Sequence, residues 1–222
     1  MTNVLYIYGY GSSPESRTCS VLKELLNDAN VMSVCYDQTN PGVGLNQLIT
    51  EAANVDLIIG SSLGGWYAMH VCARLGKPCI LINPVSDNTL IPTLKYVSKG
   101  TSPGKLLIDN YKKFKSNHPL FIPKLVDSKW YLEAWDNIEN GLVSWVILSD
   151  NDEVIKYEYG VPKETILNTI KRNFSNNSIV SGGKHRLTYD EIKNYVIPAY
   201  KKLIMDIVPK YNNFYKKVYL NP

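Results

Sequence analysis

Short apolar runs alternate along this chain with longer amphipathic stretches. The runs are Val4–Tyr8, Val31–Tyr36, Val55–Ile59, Cys79–Ile82, Val143–Leu148 and Ile179–Val180. Several are apolar throughout rather than at every second position, as a strand covered on both faces requires. Strand-length runs separated by helix-length segments predict parallel strands joined by crossover helices, an α/β architecture. The intervening segments carry helix punctuation. Ser13-Pro14-Glu15 offers an N-cap, a proline at the first helical position and an early acid, with Leu22, Leu25 and Leu26 marking the buried face. Trp66 to Leu75 reads as a helix closed by Gly76. Thr188-Tyr189-Asp190-Glu191 reads as a capping box opening a last helix, which Pro198 should kink or end early.

The rhythm breaks between Ser86 and Gly141, where prolines, lysines and aromatics replace any convincing strand. A structureless loop of that length is improbable inside a compact domain. The stretch therefore predicts a mainly helical insertion, over one edge of a mostly parallel sheet, within a single domain spanning residues 1–222. The terminal stretch Tyr211–Pro222 is polar and aromatic, suited either to pack on the body or to fray.

Composition narrows the chemistry. A 45% apolar and 20% charged chain of 222 residues is an ordinary folded domain, not a disordered one. The formal charge of +4 is shallow and, with lysine outnumbering arginine 20 to 4, lacks the guanidinium forks of nucleic-acid readers. The short runs Lys112-Lys113-Phe114-Lys115 and Tyr215-Lys216-Lys217 read as solvated faces, so no nucleic-acid partner is expected. Cys19, Cys35, Cys72 and Cys79 form no C-x-x-C pair and each falls in an apolar stretch, as small buried hydrophobes. Neither they nor the three scattered histidines have zinc-ligand spacing, so no metal or other cofactor is expected. The chain opens directly into a strand, without a signal-peptide pattern, and no run reaches the roughly 18 apolar residues of a membrane span. The expectation is a reduced, cytoplasmic protein.

The most informative segment is Gly60-Ser61-Ser62-Leu63-Gly64, a G-x-S-x-G between an apolar strand and a helix. A serine on so tight a turn needs small neighbours, and the turn presents Ser62 above the sheet at the positive end of the following helix. The same pattern also suits a plain glycine-rich turn, so its partners decide. A serine hydroxyl needs a base, and the base an orienting acid. His185 lies in a glycine-rich loop just after the last strand, where this architecture puts its base, whereas His118 sits in the insertion and His70 on the helix after Ser62. For the acid, Asp152 and Asp150 both qualify after Val143–Leu148, with Glu153 a third, and the alternative is a solvated acidic turn. An oxyanion needs backbone N–H donors, expected from Leu63 and, in the loop Tyr8-Gly9-Tyr10-Gly11-Ser12-Ser13-Pro14, from Tyr10.

Taken together, Tyr6-Ile7-Tyr8-Gly9-Tyr10-Gly11-Ser12-Ser13-Pro14, Ile59-Gly60-Ser61-Ser62-Leu63-Gly64-Gly65-Trp66-Tyr67-Ala68, Leu81-Ile82-Asn83-Pro84, Asp150-Asn151-Asp152-Glu153-Val154 and Gly182-Gly183-Lys184-His185 resemble the small α/β-hydrolase esterases of the YqiA/YcfP type. The resemblance implies Ser62 as nucleophile, His185 as base and Asp152, rather than Asp150, as acid. It also implies an α/β-hydrolase fold, while the insertion at about 86–141, read here as a cap, matches the family only loosely. Three positions depart from that family: Tyr8 stands for its usual histidine, Gly11 for an asparagine and Leu187 for an aromatic.

The leading expectation is a serine esterase or related acyl hydrolase acting on a small acyl ester or thioester, with Tyr10, Trp66 and parts of the insertion walling the pocket. The alternative is a hydrolase fold kept as a protein-binding module. The altered first loop and the aromatics Tyr96, Tyr111, Phe114, Phe121, Trp130, Tyr131 and Trp135 motivate it, although aromatics are more often core.

Overall fold

A computed structural model describes residues 1–85, 87–99, 101–117, 144–155 and 176–207. Among them, six strands form one parallel sheet in the order β2-β1-β3-β4-β5-β6. The strands are β1 (Thr2–Ile7), β2 (Ala29–Met32), β3 (Leu57–Ser61), β4 (Cys79–Ile82), β5 (Ser144–Ser149) and β6 (Asn177–Val180). Helices α1 (Arg17–Leu25), α2 (Pro41–Ala52) and α3 (Leu63–Leu75) join the first four, and α4 (Asp87–Val97) and α5 (Ser102–Asn117) follow β4. The fold is that of an α/β-hydrolase, as the hydrophobic pattern and the family likeness lead one to expect.

The central strands are buried on both faces: Leu57, Ile58 and Ile59 of β3 and Cys79 and Ile80 of β4 have no exposed surface. Each such aliphatic chain withdrawn from water contributes roughly 1.5–3 kcal/mol. Strand order reverses at β1, whose neighbours β2 and β3 are reached by crossovers running in opposite directions. Right-handed crossovers then put α1 on one face and α2 and α3 on the other. The loops leaving β1 and β3 diverge at this point, which opens a crevice beyond the strand C-termini.

Several boundaries differ from expectation for local reasons. Helix α1 begins after Ser16, whose hydroxyl accepts from Cys19 N–H, so Ser13-Pro14-Glu15 is a preceding turn rather than the cap. β2 ends at Met32, before Tyr36, which is buried outside the sheet with its hydroxyl donating to Tyr8 C=O at 2.6 Å. Cys35 is exposed while the other three cysteines are buried. The capping box forms as read, Glu191 N–H donating to Thr188 Oγ1 and Thr188 N–H to Glu191. Pro198 neither stops nor breaks the last helical run. Ile192–Val196 is wound as a π-helix, Ile197 N–H reaching back to Ile192 C=O, and an α-helical segment, Ile197–Lys202, restarts at the proline. A proline in a first turn forfeits no hydrogen bond, so the change of winding accommodates it.

Within the insertion, the described part is helical. α5 packs on α2, and Phe114 and Tyr111 meet Trp66 of α3 at ring-centroid distances of 5.9 and 5.6 Å. The described helices of the insertion thus pack against one another and onto α2 and α3. Phe121, Trp130, Tyr131, Trp135, His118 and Tyr211–Pro222 lie outside the described residues.

Candidate active site

β3 runs straight into α3 with Ser62 as the joint. Its φ of 54° and ψ of −123° lie where a side chain is strained by roughly 1–2 kcal/mol. The surrounding backbone over-determines the turn: Ser62 N–H donates to Ile82 C=O at 3.0 Å, and Ser62 C=O accepts from Gly65 and Val85, both at 3.0 Å. Gly64 is required because a methyl there would run into the carbonyl oxygens of Ile7 and Tyr8. At Gly9 a Cβ would sit 3.0 Å from Ser62 Cβ, so the loop after β1 passes in contact with the serine.

That loop is clamped. Gln38 donates from Nε2 to Gly9 C=O and accepts at Oε1 from Gly11 N–H, both at 2.9 Å. Gln38 Nε2 also reaches Tyr36 OH at 3.1 Å, and Tyr36 stacks on Tyr8 at 5.0 Å between centroids. The residue replacing the family's histidine is therefore a buried part of this clamp. Among the described residues, neither Tyr10 N–H nor Leu63 N–H has a hydrogen-bond partner.

The loops after β5 and β6 are laced together. Asp150 accepts from Gly182 N–H at 2.6 Å, Asn151 N–H donates to Gly183 C=O, and Glu153 accepts from His185 N–H at 3.1 Å. Asp152 alone of the three acids meets the imidazole, its Oδ2 lying 2.8 Å from His185 Nδ1. Its other oxygen accepts from Val154 and Ile155 N–H, each at 2.8 Å, and the side chain is only 2% exposed. A carboxylate at Nδ1 makes that nitrogen the donor and leaves Nε2 as the acceptor of the neutral ring.

Sequence reasoning gave Asn83 only as part of a family motif, and it proves to be the tie between these loops. Fully buried at a φ of 42°, it accepts from Ser149 N–H at 2.7 Å. Its amide donates to Ser149 Oγ at 2.9 Å and to the carbonyls of His185 and Lys184 at 3.0 and 3.3 Å. Gln38 was missed outright. Its only signal was a polar residue in the apolar-to-helix passage between β2 and α2.

Ser62, His185, Tyr10 and Leu63 all line one cleft of about 590 Å³ at the C-terminal end of the sheet. No hydrogen bond joins Ser62 Oγ to the imidazole among the described residues. Leu90, Thr93, Leu94 and Val97 of α4 line the cleft too. Trp66, expected in the wall, is a correction: it is 1% exposed and packs against Tyr67, His70, Tyr111 and Phe114. Four residues past Ser62, its ring is taken up by the contact between α3 and α5. His70 shares this cluster; burial, assisted by Arg74, lowers its pKa from 6.5 to about 3, so it is a neutral core residue. Burial likewise raises Tyr6, whose hydroxyl lies 2.8 Å from Ser61 Oγ beneath the cleft.

The sequence model of the uncharacterised protein family UPF0227 matches residues 3–176. The chain belongs to that family, the YqiA/YcfP type. The match takes in the Ser62 elbow and the Asp152 loop of this UPF0227 member and ends before His185. Among solved structures, Est1E from Butyrivibrio proteoclasticus is similar at 15% identity and a TM-score of 0.58, over 92% of this chain and 87% of that one. MGS-MChE2, an α/β-hydrolase from a sediment metagenome of the Mar Chica lagoon, Morocco, is 13% identical with a TM-score of 0.59, over 91% of this chain and 90% of that one. An esterase of Pyrococcus furiosus is 16% identical with a TM-score of 0.55, over 91% and 82% of the two chains. At these identities the likeness is one of fold. Among the described residues no helix is long and apolar enough to cross a membrane.

Proposed function

We propose that this UPF0227 member is a serine esterase, hydrolysing small acyl esters or thioesters through an acyl-enzyme. The observation that carries the reading is the imidazole of His185, held by Asp152 at 2.8 Å, on the same cleft as the strained Ser62. In this reading Ser62 Oγ attacks the substrate carbonyl as its proton passes to His185 Nε2. Asp152 stabilises the imidazolium through Nδ1–H without taking its proton. The Tyr10 and Leu63 amides, having no partner among the described residues, receive the negative charge of the tetrahedral oxygen. The imidazolium then protonates the departing alcohol or thiol. A water, deprotonated by His185, frees the acid and restores Ser62.

The fold neighbours support the reaction class. The Pyrococcus furiosus protein is described as an esterase, and Est1E is known with ferulic acid bound. The contrasting reading, a binding module without catalysis, loses part of its ground because Tyr111 and Phe114 are 0% and 8% exposed, as core residues are. The test is Ser62→Ala assayed on p-nitrophenyl butyrate. The proposal expects a loss of roughly 10³-fold or more with an unchanged circular-dichroism spectrum. Parent-like turnover by that folded variant overturns it.

A further inference from the structure

The two sides of the cleft differ in a way that the reaction does not require. The lining from β4 through α4 is mainly aliphatic, with Ile82, Val85, Leu90, Leu94 and Val97 beside the single hydroxyl of Thr93. The other side is built from the start of α1 and the segment following His185, which pack together: Tyr189 OH donates to Glu24 of α1 at 2.9 Å. This second side carries hydroxyls, the apolar Leu187 and Ile192, and two arginines at its exposed rim, Arg17 and Arg186. They are half of the chain's four arginines, in a protein where lysine is five times as common. No aspartate or glutamate lines the cleft with them among the described residues. Neither arginine has an ion-pair or hydrogen-bond partner there. Asp152 forms no ion pair with either arginine: its carboxylate lies behind the imidazole and its oxygens bond His185, Val154 and Ile155. A cleft with fixed positive charge, no lining acid and one low-dielectric wall concentrates anions.

We infer that the substrate is an anionic amphiphile: an ester or thioester whose apolar portion lies on α4 and whose carboxylate or phosphate group is held by Arg17 and Arg186. The planar guanidinium fork matches both oxyanions and is always charged, which lysine at these positions would not reproduce. The inference rests on the proposed hydrolase reading and adds the substrate's charge to it.

Two measurements separate the inference from that reading. In the first, the parent is assayed on the p-nitrophenyl half-ester of glutarate, which keeps a free carboxylate, and on neutral p-nitrophenyl valerate. The expected kcat/KM ratio favours the anion by about tenfold or more at low salt and collapses toward one at about 0.5 M salt. Arg17→Gln combined with Arg186→Gln should lower the ratio to near one. In the second, Ser62→Ala protein is titrated calorimetrically with the glutarate half-ester, butyl phosphate and valeramide. Both anions should bind more tightly than the amide, the tighter of them naming the group, and the arginine changes should abolish the difference. If the parent cleaves both esters equally and the arginine changes leave the ratio alone, the inference is overturned while the hydrolase reading stands. If the parent cleaves neither ester, but Ser62→Ala binds anions through the arginines, the cleft is an anion site and the hydrolase reading fails. Equal binding of the amide and both anions by Ser62→Ala also overturns the inference.

Discussion

Replacing Asn83 by alanine should both weaken the fold and uncouple the histidine loop. The side chain makes four hydrogen bonds, all in a fully buried position. Removing it strands Ser149 N–H at the end of β5, a buried donor, at a cost of about 1–3 kcal/mol. The bonds to the carbonyls of Lys184 and His185 are only partly buried, so water can replace them and their loss adds about 1 kcal/mol together. The φ of 42° adds about 1 kcal/mol for a residue with a Cβ but without the asparagine's local bonding. The expected total is about 3–5 kcal/mol, a large part of the roughly 5–15 kcal/mol that holds such a domain together. At roughly 2–4 °C per kcal/mol, Tm should fall by about 10 °C. Asn83→Gly should recover only the backbone share, about 1 kcal/mol, because the hydrogen bonds stay lost. Urea unfolding of the parent and both variants measures all three. A loss under about 1 kcal/mol for Asn83→Ala, or full recovery by Asn83→Gly, refutes the reasoning about which contacts bear the load.

Two more outcomes follow from the same structure. His70 is held neutral by burial, its pKa lowered from 6.5 to about 3, so below pH 6.5 the unfolded chain binds a proton that the folded chain refuses. Stability from this source is complete above pH 6.5 and drains away as pH falls toward 3; His70→Leu should therefore gain about 2–3 kcal/mol relative to the parent between pH 7 and pH 4.5, measured by denaturant titration at both values. Gln38→Ala releases Gly9 and Gly11 from their clamp, and kcat/KM on a p-nitrophenyl ester should fall by about 10–100-fold for a stability loss of about 1–2 kcal/mol. Unchanged kinetics would show that the loop holds its shape without the glutamine.

What could be read from the residues was whatever depends on local pattern. Continuous apolar runs identified β3 and β4 because both faces of the sheet are covered there, and glycines flanking a serine identified the turn because the main chains touch. The capping box at Thr188 was legible since its partners are three residues apart. Contacts set by the third dimension were not. Trp66 sits beside the elbow in sequence, yet the docking of α5 on α3 takes it into the packing between them. Gln38 and Asn83 look like ordinary loop polars until the loops they join, 29 and 102 residues away, are seen beside them. The choice among Asp150, Asp152 and Glu153 was likewise open by position, since all three bond the loop that carries His185 and only one meets its ring.

The central proposal is that Ser62 is the activated nucleophile. Its most direct test is labelling of the parent with a serine-directed fluorophosphonate, followed by peptide mass mapping, with His185→Ala as the comparison. The account expects the phosphonyl group on Ser62 in the parent and a rate of labelling lower by roughly 10²-fold or more in the variant. Ester hydrolysis with Ser62 unlabelled, or label settling on another serine, would contradict it.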